Sequence, residues 1–300
     1  MKARTKMTIG DAIFDVMNVI FLAIVTLACT FPLYFILINS ISSSTYVEAQ
    51  QVLFLPKGIQ FDTYKKIFEI NGISEAIRNS VMRTVLGTIF SVIGAVVVGY
   101  VMSKKEFPHR VFWYRFMIVT MYFSAGVIPG YLNIKRLGLL NNFLVYVLPG
   151  FASAYNMILV KTYIEGLPEA LEEAAMIDGA GYFQRFTKII LPLCKPIIAT
   201  IAVFGAVGQW NSYMDTALYM NGSHWPTLQS LLYQFLNQSN VFSRMMAQGN
   251  LDSIKQMASN ISPATIRFAI TGVTVMPILV VYPFFQRYFT KGIMIGAVKG

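Results

Sequence analysis

Charge is what this chain has least of. Only 13% of its 300 residues are Asp, Glu, Lys or Arg, against ~25% in an ordinary soluble domain. With 55% hydrophobic residues and a mean hydropathy of +0.56, that shortage argues against a soluble domain and for an integral membrane protein. Cysteine is nearly absent: Cys29 and Cys194 stand far apart in or beside apolar segments, with no CxxC and only two His. A disulfide framework and a metal site are therefore not expected. No GxxxxGK[ST] phosphate loop occurs, so ATP is not bound by that route. No acid–base cluster or nucleophile–base arrangement suggests an enzyme. Helix-turn-helix, RNP and zinc spacings are also missing, so the net charge of +10 is not read as a nucleic-acid footprint. In a membrane chain Lys and Arg are topology and headgroup signals first.

Long apolar runs are what the chain does have. About 20 mostly apolar residues cross a bilayer as a helix, and six runs qualify: 12–39, 80–102, 112–131, 142–163, 192–219 and 265–287. They lack the two-residue alternation of barrel strands. The expected fold is all-α and integral to the membrane, six transmembrane helices in a single domain, 1–300. Lys2, Arg4 and Lys6 precede the first run as in a signal peptide, and Thr26-Leu27-Ala28-Cys29 faintly resembles a lipoprotein cleavage site. The run continues past that cysteine to Ile38, so the span is expected to be retained.

With the N-terminus inside, fourteen of the twenty-four Lys and Arg residues fall in cytoplasmic segments, a modest positive-inside bias. An even number of spans then puts both termini in the cytoplasm. Residues 40–75 and 220–264 become outer loops, and 164–191 a cytoplasmic one. Phe61, Tyr64, Ile67 and Phe68 recur at helical spacing, which predicts a helix lying flat on the membrane surface.

The cytoplasmic loop carries EALEEAAMIDGAGYFQRFTKIILP at 169–192. Pro168 suits a first helical turn, and Glu169, Glu172 and Glu173 suit the positive end of a helix dipole. Gly179 follows Asp178 where a left-handed stop is wanted. The spacing predicts a helix of about eleven residues, roughly 16 Å long, with Leu171, Ala174, Ala175 and Asp178 on one face. A second short helix, 181–190, would end at Leu191-Pro192. From the residues alone the loop is either a connector between spans or a peg that docks in a partner's groove.

Glu173-Ala174-Ala175, Gly179, Ile189 and Leu191-Pro192 match the EAA motif of ABC-importer permeases at every fixed position. The flanks LPEALEEAAMIDGAG and LPLCKP resemble those of carbohydrate permeases of the maltose type. Asn79-Ser80 opening the second span, Trp210-Asn211 in the fifth and the tail YPFFQRYFTKGIMIGAVKG extend that resemblance, and the tail and outer loops look most like the oligo- or polysaccharide permeases common in Gram-positive bacteria. The resemblance implies a type I importer permease in a bacterial cytoplasmic membrane, without an ATP site of its own. It implies a coupling helix in which Glu172, Glu173, Ala174, Ala175 and Asp178 meet a separate ATPase. Gly179 would be the turn, and Ile189, Leu191 and Pro192 would set the start of the fifth span. The implied partners are a sister permease forming a heterodimer, two ATPase subunits carrying ATP and Mg, an extracytoplasmic sugar-binding protein and the bilayer, with no nucleic acid.

Polar groups at membrane depth tend to face a cavity, which makes Gln209, Trp210, Asn211, Tyr213 and Asp215 substrate-path candidates. For each one alone, an interfacial belt or a helix–helix contact serves as well. Arg78, Arg83, Lys135, Arg136, Arg244, Lys255 and Arg267 fall outside or near outer helix ends. They could attract an acidic oligosaccharide or anchor headgroups. The tail from Lys291 to Gly300 could reach an ATPase or lie on the membrane. A self-contained secondary transporter remains open on composition, although, apart from Asp215 near an outer end, the spans lack the acids it would use for ion coupling.

Overall fold

The computed structural model describes residues 9–69, 72–221, 225–247 and 263–297, and among them there is no strand. Lys2, Arg4, Lys6, Lys255 and Lys299 lie outside the described residues. Thirteen helices are used below: α1 Ile9–Ser40, α2 Ser44–Glu48, α3 Asp62–Glu69, α4 Ile73–Ser103, α5 Arg110–Tyr122, α6 Val127–Arg136, α7 Ala154–Glu165 and α8 Ala170–Ile177. After these come α9 Tyr182–Leu193, α10 Lys195–Asn211, α11 Met214–Tyr219, α12 Leu228–Ala247 and α13 Pro263–Ala297. Three long apolar segments, α1, α4 and Ala264–Pro283 of α13, could each cross a membrane unbroken.

The other apolar runs are not straight spans. Run 112–131 is two helices, α5 and α6, meeting at 118°. The chain turns there on Gly126, at φ +85°. Run 142–163 opens as two 3₁₀ pieces, Phe143–Tyr146 and Leu148–Ala152, bent 42° from α7. Run 192–219 breaks twice, because α9 and α10 meet at 76° and Ser212-Tyr213 separates α10 from α11. Pro192 and Pro196 explain the first break: neither ring nitrogen can donate, and each ring crowds the carbonyl four residues back. The helix widens to a π turn over Phe186–Ile190 just before Pro192, a common accommodation of a lost bond. The bend therefore falls at Cys194 and not at Leu191-Pro192. Part of the expected outer loop 220–264 is the 20-residue helix α12.

The chain divides into two compact units, Met1–Glu69 with Phe235–Val273, and Ile70–Gln234 with Thr274–Gly300. In the first, α1 leaves its apolar residues exposed as far as Phe31 and buries only Ile38, Asn39 and Ser40, as suits a helix surrounded by lipid. Ile38, Val47 and Val52 form a small core with Ala264 and Phe268. The amphipathic segment at 61–68 splits its apolar set. Ile67 is buried and the Tyr64 hydroxyl lies 2.7 Å from Ser40 Oγ, while Phe61 and Phe68 stay exposed.

In the second unit α4 is the central helix, with α7, α10 and the 3₁₀ pieces against it. Its core includes Ala95, Tyr100, Met157, Val160, Ile190 and Ile201. Small residues let the backbones close in, as membrane helices require. A Cβ on Gly94 would stand 2.2 Å from the Phe151 carbonyl oxygen, and one on Gly99 2.8 Å from Val160. The start of α4 is tied to α12: Asn79 Nδ2 donates to Pro226 O at 2.9 Å, and Leu228 N donates to Ser80 Oγ at 2.8 Å. The second span thus begins at Ile73, and Asn79-Ser80 lies within it.

Candidate functional site

Two places on the second unit collect the residues singled out above. The first is the loop 164–191. Its helix, α8, has eight residues rather than eleven. Gly179 sits at φ +80°, donates to Met176 O at 3.0 Å, and is followed by Ala180 N donating to Ala175 O at 2.9 Å. This is the paired bonding of a Schellman stop, which needs a left-handed residue at that position. Glu173, Ala174 and Asp178 are exposed, whereas Ala175 is half-buried. Ile177 is 87% exposed and Phe183 77%, so an exposed apolar pair flanks the stop. Ile189 and Leu191 are half-buried and Pro192 is exposed, while the fully buried neighbour is Ile190.

Glu172 does not share the exposed face. Its Oε2 is ion-paired with Lys104 Nζ, at the end of α4, and its Oε1 accepts from the Tyr100 hydroxyl at 3.5 Å. Helical geometry separates the two carboxylates. Glu172 and Glu173 are adjacent in sequence, but a 100° step turns one inward and leaves the other out. Behind α8 lies a cavity of about 490 Å³ with charged walls. Lys105 pairs with Glu169 at 2.7 Å, Arg110 with Glu165 at 3.8 Å, and Lys161 with Glu165 at 2.7 Å. Lys105 hydrogen-bonds Glu169 and holds that carboxyl below its usual range, and Glu169 raises Lys105 in turn. Arg185 is buried over the Tyr182 ring at 4.3 Å, and its Nε has no hydrogen-bond partner among the described residues.

The second place is a cavity of about 560 Å³ whose lining includes Arg83, Asn133, Tyr146, Gln209, Asp215 and Tyr219. Arg83 organises it. The break at Ser212 frees a backbone carbonyl, and Arg83 Nη1 donates to it at 3.1 Å. Arg83 Nε and Nη2 each donate to Gln209 Oε1 at 3.1 Å, and Nη2 also donates to Asp215 Oδ2 at 2.7 Å. The guanidinium lies 4.3 Å over the Tyr146 ring. Gln209 Nε2 donates to Tyr146 O at 2.9 Å, and Ser212 Oγ donates to Asp215 Oδ2 at 2.9 Å. Irregular backbone at membrane depth is tolerated where it lines a cavity and its groups find partners.

Of the five path candidates, Gln209 and Asp215 line this cavity. Trp210 Nε1 donates to Thr274 O at 2.9 Å, and its ring helps line a separate apolar recess of about 180 Å³. Asn211 Oδ1 accepts from Gln229 Nε2 at 3.1 Å, and Tyr213 stacks on Tyr233 with centroids 4.6 Å apart. Sequence reading grouped Arg83 with surface cations, yet its side chain is 2% exposed. An arginine inside an apolar run was the available signal. Arg78 lies 3.8 Å from Glu75, and Arg267 sits over Phe268 at 5.3 Å. Lys135 and Arg136 occupy the last turn of α6, and Arg244 lies in α12.

Comparison with known proteins agrees with this architecture. The profile of the family "binding-protein-dependent transport system inner membrane component" matches residues 2–295. The polygalacturonan/rhamnogalacturonan transport system permease protein YtcP of Bacillus subtilis (strain 168) is 35% identical over 97% of this chain and 99% of its own length. Protein LplC of the same organism is 35% identical over 98% of this chain and 97% of its own length. A chain in the crystal structure of a bacterial ABC transporter involved in the import of the acidic polysaccharide alginate superposes with a TM-score of 0.83. It is 31% identical, and the match covers 95% of this chain and 99% of that one.

Proposed function

Since the chain belongs to the family of binding-protein-dependent transport system inner membrane components, we propose how this permease subunit of an ABC importer divides its work between the two places just described. The subunit is not itself an enzyme; ATP is hydrolysed by a separate subunit. In this reading each bent pair counts as one span, giving six with both termini cytoplasmic, and the whole chain acts as one permease domain. A sister permease completes the path, two ATPase subunits carry ATP and Mg, and an extracytoplasmic binding protein delivers the cargo.

α8 is the coupling helix. The observation that carries this is its finish: a short helix closed by Gly179, with Glu173, Ala174, Ile177 and Phe183 exposed. Exposed apolar groups beside an exposed carboxylate suit a partner groove with an apolar floor and a basic rim. Glu173, Ala174, Asp178 and Gly179 form the docking surface. Ile189, Leu191 and Pro192 carry its movement to the bend at Cys194.

The 560 Å³ cavity is part of the translocation path, with Gln209 and Asp215 in its wall. The cargo is an oligosaccharide, and acidic, in keeping with what YtcP and the alginate importer carry. The charged lining residues, Arg83 and Asp215, neutralise one another. A polyanion crosses such a wall without being trapped, which a path requires more than tight binding. The deciding experiment is capture of the ATPase by the purified pair of permeases. Wild type should retain it, and Glu173→Lys and Gly179→Pro should lose it. Equal retention by all three would reduce the loop to a connector.

A further inference from the structure

We infer that Glu172 is a positioning residue for transport, clasping α8 to the end of α4 so that α4 carries movement of α8 to the cavity. The inference rests on α8 being the coupling helix, but concerns the opposite face of that helix.

At the clasp, Lys104 Nζ is ion-paired with Glu172 Oε2 and lies 4.3 Å over the Tyr100 ring. The Tyr100 hydroxyl donates to Glu172 Oε1 and, at 3.3 Å, to the Tyr182 carbonyl. Its ring meets Phe186 with centroids 4.8 Å apart. The last turn of α4 therefore grips α8 and α9 together. The side chains of Lys104 and Glu172 are 13% and 20% exposed, so solvent screens this pair far less than it screens Lys105–Glu169, at 73% and 67%.

From that grip α4 runs unbroken to Arg83, seventeen residues or about 26 Å of helix. Arg83 holds the break between α10 and α11 through Ser212 O and Asp215. The alternative routes from α8 toward the cavity are bent: 76° between α9 and α10, and 42° before α7. A straight hydrogen-bonded helix transmits displacement along its axis, whereas a hinge absorbs it. One helix thus joins two charged anchors, one at each working end.

The test uses the assembled importer in vesicles with sugar-loaded binding protein. Wild type is compared with Glu172→Gln, Lys104→Met and the reversed pair Lys104→Glu with Glu172→Lys. Three quantities are read: ATPase capture, ATP hydrolysis, and sugar imported per ATP. Capture should stay within about twofold, because Glu172 is off the docking face. Sugar per ATP should fall about tenfold in each single variant, the effect of one charge-assisted bond, and recover in the reversed pair. A merely structural role would lower capture and folding yield together without changing the ratio. Unchanged sugar per ATP in the single variants overturns the inference. So does loss of capture in a folded complex, which makes Glu172 a docking residue instead. If wild type itself captures no ATPase, the coupling-helix reading fails first, and this one with it.

Discussion

The Arg83 cavity and the α8 loop are joined by the same helix and are built on opposite principles. Around Arg83 nearly every polar group is answered within the chain: two donors reach Gln209, one the Ser212 carbonyl and one Asp215. Around α8 the inward face is answered, by Lys104 and Tyr100, while the outward face stays exposed. Ile177 and Phe183 stay exposed beside Glu173. The cavity is finished by folding, and in the proposed reading the loop is finished by binding. Mutations at the first should therefore be read in stability, and mutations on the outer face of the second in assembly.

The largest effect should come from Asp215→Ala, which strands a buried guanidinium. A loss of about 3 kcal/mol is expected, at the low end for a broken buried pair because Asp215 is partly exposed. Thermal unfolding of the purified complex measures it, and Arg83→Met with Asp215→Leu should regain part of the loss because no charge is left unpaired. Next comes Gly94→Ala. Its Cβ would meet the Phe151 carbonyl at 2.2 Å, so α4 must move off the 3₁₀ segment at about 2 kcal/mol.

Gly179→Ala should cost about 1 kcal/mol, the penalty of a left-handed residue with a Cβ. A Cβ there meets nothing within 4 Å, so the strain stays in the backbone and shows as fraying of α8 by hydrogen exchange. Ile177→Ser should leave stability within about 0.5 kcal/mol of wild type, as at other exposed positions. It should nevertheless lower ATPase capture several-fold. If Ile177→Ser unfolds the complex, or Asp215→Ala leaves it as stable as wild type, the contrast between the two ends is wrong.

Residue pattern alone went a long way here. The shortage of charge, the six apolar runs and the EAA spacing pointed to the membrane, to the family and to Gly179 as a stop. Each of those signals is local: a run length, a period, a glycine after an acidic residue. Run length, however, does not say whether a span is straight. The 118° turn at Gly126 and the 76° bend at Cys194 follow from local chemistry, but an apolar run scores the same on either side of a hinge.

Tertiary structure alone decided which charges face inward. Glu172 and Glu173 are alike in chemistry and adjacent in sequence, and the position of Lys104, 68 residues away at the end of α4, separates the paired carboxylate from the exposed one. Arg83 read as one more cation near an outer end until Asp215, 132 residues on, was placed beside it. Partners so distant in sequence leave no periodic trace. Hydropathy therefore determined the class of this protein, and the bends of its spans and the pairing of its few charges were left to the packing that brings those charges together.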